Sequence, residues 1–469
     1  MIIFFCVKTG NRCCAKHIIK KKFFEDQLHL LRVHSMFSKL DVFEVKSLLE
    51  NFSSKLDRDL FDRIPDMALN EKQLKTFHGL SWEQLIELRE MLTTMRNSDK
   101  RDKTQALVVF LLKLRSGNSN NLIAGILGID SEQRVSDYCE SVLKSFKIDI
   151  LPVHFGLQAV NRENLVRNHT TAIAKKLHSL DDDQLVMIYD GTYLRHQKSS
   201  NNDYQRKSYS GQKKTSLCKP FTVCMTDGYV VDILGPYNAN YNDAKILEEE
   251  LVKNAYLKEL LQPDDVFVLD RGFRDVVPLL EEKQYQVLMP SLKGKKNQLS
   301  TKESNHSRRV TKVRWPIEAV HGIIGQKYKL LHHQFDNKML PNAQAYCKIA
   351  CFLNNKFGKR LNSDAEMTDE IVNRMMQCEK ENTLAQEVED GRWSRRKKDF
   401  KSITSEDLLD FPEMTIKDLK LFFTGTYQLK QSLSYLAEMI DDRGCFDLSY
   451  HESMPEIIKF KVSIQCKKK

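Results

Sequence analysis

The fold is decided by Leu185-Val186-Met187-Ile188-Tyr189-Asp190-Gly191 and by Val266-Phe267-Val268-Leu269-Asp270-Arg271-Gly272. Each stretch is a short apolar run, typical of a buried strand, that leads into an aspartate with a glycine close behind it. An aspartate at the end of a buried strand lies at the rim of a sheet, where a ligand can reach it. An Asp near Gly also commonly caps a turn, so either stretch alone is ambiguous. The coincidence of two such stretches favours a functional pair.

The segments around these two runs indicate how the sheet is built. Residues 221–225 and 229–234 are β-rich runs separated by Thr226-Asp227-Gly228, a typical hairpin turn. Part of the sheet is therefore expected to be antiparallel, and helical patterns lie between and after the strands. The sequence predicts an α/β catalytic core over residues 180–355, with a mixed sheet flanked by helices.

A third carboxylate comes from Arg314-Trp315-Pro316-Ile317-Glu318. Pro316 is expected at the first position of a helix, which places Glu318 two residues inside it. A glutamate there can simply complement the helix dipole, but the apolar residues around it predict that the helix packs against the sheet. Glu318 and His321 also form a Glu-x-x-His motif. Di-iron bundles need a second such motif, and none is evident, so His321 is given no role.

Two strand-end aspartates and a helical glutamate supply the oxygen ligands that Mg²⁺ or Mn²⁺ prefers, and a pair of such ions catalyses phosphoryl transfer. Charge placement agrees with this chemistry. Residues 191–220 hold seven Lys or Arg against Asp203, and residues 291–314 hold eight against Glu303. Cationic loops beside carboxylates suit a DNA backbone, although solvated loops carry the same charges. The candidate DNA-binding residues are Lys198, Arg206, Lys207, Lys213, Lys214, Arg308, Arg309 and Arg314.

The region before the catalytic core, residues 71–150, is predicted to be helical. Ser81 and Gln84 form a capping box, and helical periodicity follows over residues 105–115, 119–127 and 131–146. This spacing fits a helix-turn-helix whose third helix enters a major groove. A plain three-helix bundle fits equally well, because the third helix carries acidic residues that phosphates repel: Glu132, Asp137 and Glu140. Both interpretations stay open.

Composition bounds the remaining possibilities. The chain has 469 residues and a net charge of +10, which suits two or three domains and a polyanionic partner. It has no Walker A motif, no GxGxxG and no apolar run of about 20 residues, so nucleotide-driven chemistry and membrane spanning are not expected. We leave residues 1–70, basic and mixed, unassigned, expect an acidic linker or solvated helix over residues 361–394, and expect a small, mainly helical region over residues 395–469.

Taken together, the motifs resemble the DDE superfamily endonucleases of PIF/Harbinger-like transposons, especially the ISL2EU branch. The resemblance rests on an ordered series of short motifs: Tyr189-Asp190-Gly191-Thr192-Tyr193-Leu194, Tyr204-Gln205-Arg206-Lys207-Ser208-Tyr209-Ser210, Gly235-Pro236-Tyr237, Asn242-Asp243-Ala244, Asp270-Arg271-Gly272-Phe273 and Arg314-Trp315-Pro316-Ile317-Glu318. It implies an RNase H-like core in which Asp190, Asp270 and Glu318 are the catalytic, metal-binding triad. Asp243 is the secondary candidate, beside the site.

The same resemblance implies the biology. The expected activity is cleavage of DNA phosphodiesters and joining of transposon ends to target DNA, with divalent Mg²⁺ or Mn²⁺. The expected partners are DNA, further copies of the chain as a homo-oligomer and an accessory DNA-binding protein, with no membrane partner. The expected location is the nucleus. The alternative is a domesticated or truncated descendant that binds DNA without transposing. The zinc-binding THAP module of some relatives has no matching cysteine and histidine spacing in residues 1–70.

Overall fold

A computed structural model provides the structure of the chain. It describes residues 18–19, 22–23, 71–98, 101–296, 299–361, 365–377, 383–393, 399–403, 412–424, 448–460 and single positions between 429 and 436. The chain divides into two compact units, Met1–Asp62 and Arg63–Lys469. In the first unit the described residues form a small antiparallel hairpin of β1 (Ile18–Ile19) and β2 (Lys22–Phe23). Most of the segment that the sequence left unassigned lies outside the described residues.

The second unit begins with five helices, of which the last four confirm those predicted from the sequence. They are α1 (Glu71–Phe77), α2 (Trp82–Met91), α3 (Lys103–Ser116), α4 (Asn120–Leu127) and α5 (Glu132–Ser145). The capping box of Ser81 and Gln84 starts α2 as expected. Helix α3 is buried on all sides from Ala106 to Leu114, which is typical of a helix at the centre of a larger core. Its Phe110 stacks on Tyr346 of the α/β region, with 5.8 Å between ring centroids.

The sheet of the α/β region is mixed, as the sequence predicted. Its strands are β3 (Val186–Gly191), β4 (Leu194–Arg195), β5 (Tyr209–Ser210), β6 (Thr215–Met225), β7 (Val230–Asn238), β8 (Val266–Val268) and β9 (Gln286–Leu288). The order is β4-β6-β3-β8-β9, and β5 and β7 also pair with β6. Strand β3 runs antiparallel to β6 and parallel to β8, which is parallel to β9. The predicted hairpin turn joins β6 to β7.

Helices cover the sheet. They are α6 (Leu151–His154), α7 (Arg162–His169), α8 (Ala172–His178), α9 (Asn202–Ser208), α10 (Asp243–Lys253), α11 (Ala255–Leu260), α12 (Val277–Glu282), α13 (Thr301–Lys327), α14 (Lys329–His332) and α15 (Ala343–Phe357). Alternation along β3 decides which residues face which layer. Met187 and Tyr189 join a core with residues of α10–α12. Asp190 faces the opposite side, toward α13.

Helix α13 corrects one detail of the sequence analysis. It begins 15 residues before Pro316, at a capping box in which Ser300 and Glu303 bond each other's backbone N–H groups, and it passes through Pro316. Proline cannot donate the backbone hydrogen bond of a helix interior, which is why the sequence favoured a helix start there. The helix continues because Pro316, Val313 and Ile317 are buried together, and tertiary packing outweighs local propensity.

The segment after α15 also differs from expectation. It contains α16 (Thr368–Gln377), α17 (Leu384–Asp390), β10 (Phe400–Ser402), α18 (Ile416–Phe422), β11 (Leu448–His451) and β12 (Met454–Phe460). The predicted acidic linker holds the packed helix α16, which buries Ile371 and Met375. In the predicted mainly helical region, the described residues include a three-stranded antiparallel sheet, the helix α18 and isolated helical positions between 429 and 436. No helix among the described residues is long and apolar enough to cross a membrane.

Candidate active site

Two strand ends bring the aspartates to one rim of the sheet. Asp190 belongs to the end of β3, and Asp270 follows β8 by two residues. The two strands are parallel neighbours with Ile188 opposite Val268, so both chains leave the sheet at the same edge. The side chain of Asp190 is 19% exposed. Asp190 and Asp270 are therefore neighbours at one rim of the sheet, although they are far apart in the sequence.

Asp270 also caps a turn, which was the alternative explanation for an aspartate at this place. Its Oδ1 accepts a hydrogen bond of 2.7 Å from the backbone N–H of Gly272, and Asp270 is the N-cap of a short 3-10 helix, Arg271–Val276. One oxygen of the carboxylate is thereby fixed. The capping role and a place at the rim are compatible, because a carboxylate has several acceptor positions.

Glu318 reaches the same rim from α13. It forms an ion pair with Arg314, one helical turn earlier, and the Nη1 atom of Arg314 lies 3.8 Å from Oδ2 of Asp190. His321 follows on the same side, with Nδ1 also 3.8 Å from Oδ2 of Asp190. Residues 314, 318 and 321 share a helix face because they are spaced by four and three positions. The expectation that Glu318 lies toward the rim agrees with this geometry.

The pKa of Asp190 is raised by its burial and by the acids nearby. Burial raises it from its usual value to about 7, and Arg314 opposes the rise. The charges of Asp270, Asp243 and Glu318 add to the rise. Three other carboxyl groups thus act on Asp190 at this rim, and the charge of Arg314 opposes their effect.

Asp243 is held against the rim by a buried lysine. It lies at the start of α10, and its Oδ1 accepts a 3.1 Å bond from Nζ of Lys219, which also donates to the carbonyl of Tyr241 at 2.6 Å. A Cβ on Gly191 would be only 2.8 Å from Oδ1 of Asp243. An alanine beside Asp190 would therefore force the side chain of Asp243 to shift. Lys219 was counted in a basic segment by the sequence analysis but was not selected, since only the strand pairing shows that it turns inward.

The donor chemistry fits a hard divalent cation, but the ligands are not fully gathered. Among the residues that the structure describes, no three His, Cys, Asp or Glu side chains are grouped closely enough to hold a metal ion. The groups facing the rim are carboxylates, whose oxygens suit Mg²⁺ or Mn²⁺. Arg314 supplies the positive charge between Asp190 and Glu318. Ion binding therefore requires the guanidinium and the Glu318 side chain to move.

His321 is a second residue that sequence reasoning missed. Its Nε2 lies 2.9 Å from Oγ1 of Thr222, which stands directly opposite Asp190 in the pairing of β3 and β6. Burial lowers the pKa of His321 to about 4, and Arg314 contributes to the lowering, so the ring is neutral near pH 7. The Glu-x-x-His spacing was the available signal, although it carried no meaning without the position of Thr222.

The predicted DNA-binding residues before β6 lie on the surface. Lys198, Arg206, Lys207, Lys213 and Lys214 are all exposed. Arg206 forms an ion pair with Asp203, so part of its charge is compensated. Nζ of Lys213 lies 5.2 Å from the ring centre of Tyr193, three residues after Asp190. Lys213 is therefore the member of this group that the described contacts connect most directly to the acidic rim.

The basic residues of α13 do not all lie on the surface. Arg308 is exposed and lies 3.4 Å from the hydroxyl of Thr424. Arg309 is half-buried, and its Nη1 is 3.1 Å from the sulfur of Met376 in α16. Arg314 contacts the acids of the rim instead of forming a surface patch. Of these three predicted DNA contacts, Arg308 is the one that the structure leaves on the surface.

The helical region keeps its two interpretations. Helix α5 is the third helix of the predicted helix-turn-helix, and Glu132, Asp137 and Glu140 are exposed on it. Its opposite face buries Val135 and Val142. The exposed residues thus include acids that phosphates repel, and both the helix-turn-helix and the plain bundle stay open.

The comparisons with known proteins agree with the geometry in one region. No curated protein matches the chain. Two solved structures are similar at 14% identity: a pre-cleavage Mos1 transpososome, over 61% of this chain and 79% of that chain with a TM-score of 0.21, and the Mos1 strand transfer complex, over 66% and 96% with a TM-score of 0.22. These scores are too low to support an argument. The sequence of residues 189–355, which contains Asp190, Asp270 and Glu318, matches the family model of the DDE superfamily endonucleases.

Proposed function

We propose that this chain is a metal-dependent DNA endonuclease and transposase in which Asp190, Asp270 and Glu318 form the catalytic triad. The observation that carries the proposal is that three carboxyl groups distant in the sequence lie at one sheet rim, where burial and then the charges of Asp270 and Glu318 raise the pKa of Asp190. The family match over the same residues supports it. Crowded carboxylates lower stability unless cations bind them, and this arrangement is typical of sites built for function.

The triad would hold Mg²⁺ or Mn²⁺, which stabilises the attacking and leaving oxygens of a phosphodiester during in-line displacement. Asp270 would present the oxygen that does not accept from Gly272, and Asp243, held by Lys219, would adjust the charge beside Asp190. Lys213 and Lys214 would bind the phosphate backbone that leads into the rim. Strands β7, β6 and β3 are antiparallel neighbours, and β8 and β9 continue the sheet parallel to β3. This order supports the proposed RNase H-like core.

A second candidate function is a domesticated or truncated transposase descendant that binds DNA in the nucleus without transposing. The specific observation in its favour is the ion pair of Arg314 and Glu318, which leaves the triad incompletely gathered. We further propose a nuclear location and a homo-oligomer, with an accessory DNA-binding protein as a possible partner, because cutting and joining two DNA ends requires two sites. We also propose that the chain belongs to the PIF/Harbinger-like, ISL2EU-like branch of these transposases.

Nicking of supercoiled plasmid tests the proposed function. Cleavage is expected with Mg²⁺ or Mn²⁺, and Ca²⁺ is expected to bind without supporting turnover. Zinc-selective chelation should leave the activity unchanged, since all three ligands are carboxylates. Joined products formed with a labelled 3′-hydroxyl oligonucleotide would distinguish strand transfer from simple hydrolysis. Intact DNA binding with no cleavage under any divalent ion would favour the domesticated alternative, and activity dependent on zinc would refute the triad.

A further inference from the structure

Tyr193 places an exposed aromatic ring beside the acidic rim. It lies three residues after Asp190, in the connection between β3 and β4. The connection is fixed on both sides of the ring, because the backbone N–H of Thr192 donates to the carbonyl of Pro220 at 2.9 Å and Leu194 is buried in β4. Tyr193 is nevertheless 38% exposed. The backbone thus fixes the position of the ring without covering it.

The ring lies near the acids of the rim. Partial burial raises the pKa of the Tyr193 hydroxyl, and the charges of Asp243, Asp190 and Asp270 add to the rise. Tyr193 therefore shares its surroundings with three of the carboxyl groups described above. A DNA strand that brings a phosphate to these carboxyl groups passes close to the ring.

Two ammonium groups lie at the ring of Tyr193. Nζ of Lys213 is 5.2 Å and Nζ of Lys219 is 5.9 Å from the ring centre, both within the range of a cation–π contact. Lys219 is buried, and its bonds to Asp243 and to the carbonyl of Tyr241 keep it in place. Lys213 is exposed, so its side chain can leave the ring and pair with a phosphate. The ring and the exposed ammonium group together match the two parts of a nucleotide, a flat base and a charged phosphate.

A largely apolar recess opens beside the ring. Tyr193 lines it together with Leu194 and Pro220 of the sheet and with Val320 and Ile324 of α13. Apolar and aromatic walls favour a flat group such as a nucleobase over a phosphate. The recess therefore suits the base, and the exposed lysine suits the backbone.

We propose that Tyr193 stacks on an unpaired base of the DNA strand that enters the rim, while Lys213 binds a phosphate of the same strand. The proposal rests on the proposed function, because it names the form of DNA that the site takes. A base inside a duplex has both faces covered by its neighbours, so the stacked base is unpaired, at a strand end or where the duplex is opened. Stacking on an aromatic ring tolerates any base, since every base has a flat face. Tyr193 therefore recognises single-stranded DNA at the rim without reading its sequence.

Binding of a short oligothymidylate and of its abasic analogue to the full chain, measured by fluorescence anisotropy in EDTA, tests the stacking. The two oligonucleotides carry the same phosphates, and EDTA removes the divalent ions that cleavage needs. We expect wild-type protein to bind the thymidine form about 5- to 150-fold more tightly. Tyr193→Leu should remove this preference and Tyr193→Phe should keep it, whereas Lys213→Gln should weaken binding of both forms alike. The matched control is Tyr256→Leu, which changes an exposed tyrosine of α11 outside the basic segment 191–220 and should keep the preference.

A second measurement, on the wild-type protein, applies if thermal melting shows that Tyr193→Leu does not fold. Photocrosslinking to an oligonucleotide that carries iodouracil, mapped by mass spectrometry, should join the base to Tyr193. A crosslink confined to other residues would overturn the stacking, as would a thymidine preference that persists in folded Tyr193→Leu. Plasmid nicking separates the two conclusions. Wild-type protein that nicks DNA without a thymidine preference overturns only the role of Tyr193, whereas protein that binds neither form and cuts no DNA refutes the proposed function and the stacking with it.

Discussion

The two strand ends share a sequence pattern, an apolar run that leads into an aspartate with a glycine close behind it, but they have different surroundings. At the end of β3, Asp190 is enclosed by α13, and Asp243 packs against Gly191. At the end of β8, Asp270 turns back on its own loop and accepts a hydrogen bond from Gly272. The first glycine makes room for another acid, whereas the second provides a donor for the preceding acid. An apolar strand followed by Asp and Gly therefore specifies a position at the rim, and the neighbouring layer determines what the carboxylate experiences there.

Asp270→Asn is the strongest test of this comparison. The amide oxygen can still accept the hydrogen bond from Gly272, so the turn and the fold should persist. Removing a charged metal ligand should lower DNA cleavage by orders of magnitude while DNA binding is kept or tightened. Parallel gel-shift and nicking assays, with thermal melting, measure these effects. Near-normal nicking by the folded variant would show that Asp270 only caps a turn. The two strand ends would then not both supply a metal ligand.

Asp190→Asn should affect stability in a way that Asp270→Asn does not. Because the folded pKa of Asp190 is about 7 and the unfolded value is near 4, the folded state holds an extra proton between these pH values. Wild-type stability should therefore fall as pH rises from about 4 to about 7 and then level off. At pH 8 the variant should be more stable by a few kcal/mol, at about 1.4 kcal/mol per pKa unit. Denaturant unfolding at pH 5 and pH 8 measures the difference, and a pH-independent effect would contradict it.

The basic residues near the two strand ends should also differ in how much they contribute to DNA binding. Replacing Lys213 and Lys214 with Gln should weaken binding to all DNA sequences alike and flatten the salt dependence by roughly two units. The matched control is Arg274→Gln beside Asp270, because Arg274 already forms an ion pair with Asp275. Its salt slope should change by less than one unit. A loss confined to one DNA sequence, or equal slopes for both variants, would show that the lysines do not contact phosphates.

The smallest expected effects come from the glycines. In Gly191→Ala the new Cβ meets Asp243, and in Gly272→Ala it meets Oδ1 of Asp270, at 2.8 and 2.9 Å respectively. Both contacts involve side-chain ends that can shift, so each change should cost only about 1 kcal/mol. Cleavage should fall more in Gly272→Ala, since it displaces a proposed triad member, than in Gly191→Ala, which displaces the secondary acid. The reverse order would exchange the roles of Asp270 and Asp243.

Much of the fold could be read from local sequence patterns. The apolar runs before Asp190 and Asp270, the hairpin at Thr226-Asp227-Gly228 and the capping box at Ser81 are signals within a few residues, and the structure confirms each of them. The start of α13 and the sheet at the C-terminal end were missed. In α13 burial around Pro316 overrides a local breaker. The strands β10 and β11 pair residues that are far apart in the sequence, with Ser402 opposite Ser449.

The sequence by itself determined which residue types could do the chemistry and where along the chain they stand: two aspartates that end apolar strands and one glutamate on a helix. Tertiary structure alone decided that Arg314 faces these acids, that Lys219 holds Asp243 beside Gly191, and that His321 meets Thr222. The physical reason is the distance along the sequence between the residues that determine each feature. Strand ends, caps and turns depend on neighbours in the chain, whereas the charge and orientation at the rim depend on side chains brought together from strands and a helix about 100 residues apart, such as Thr222 and His321.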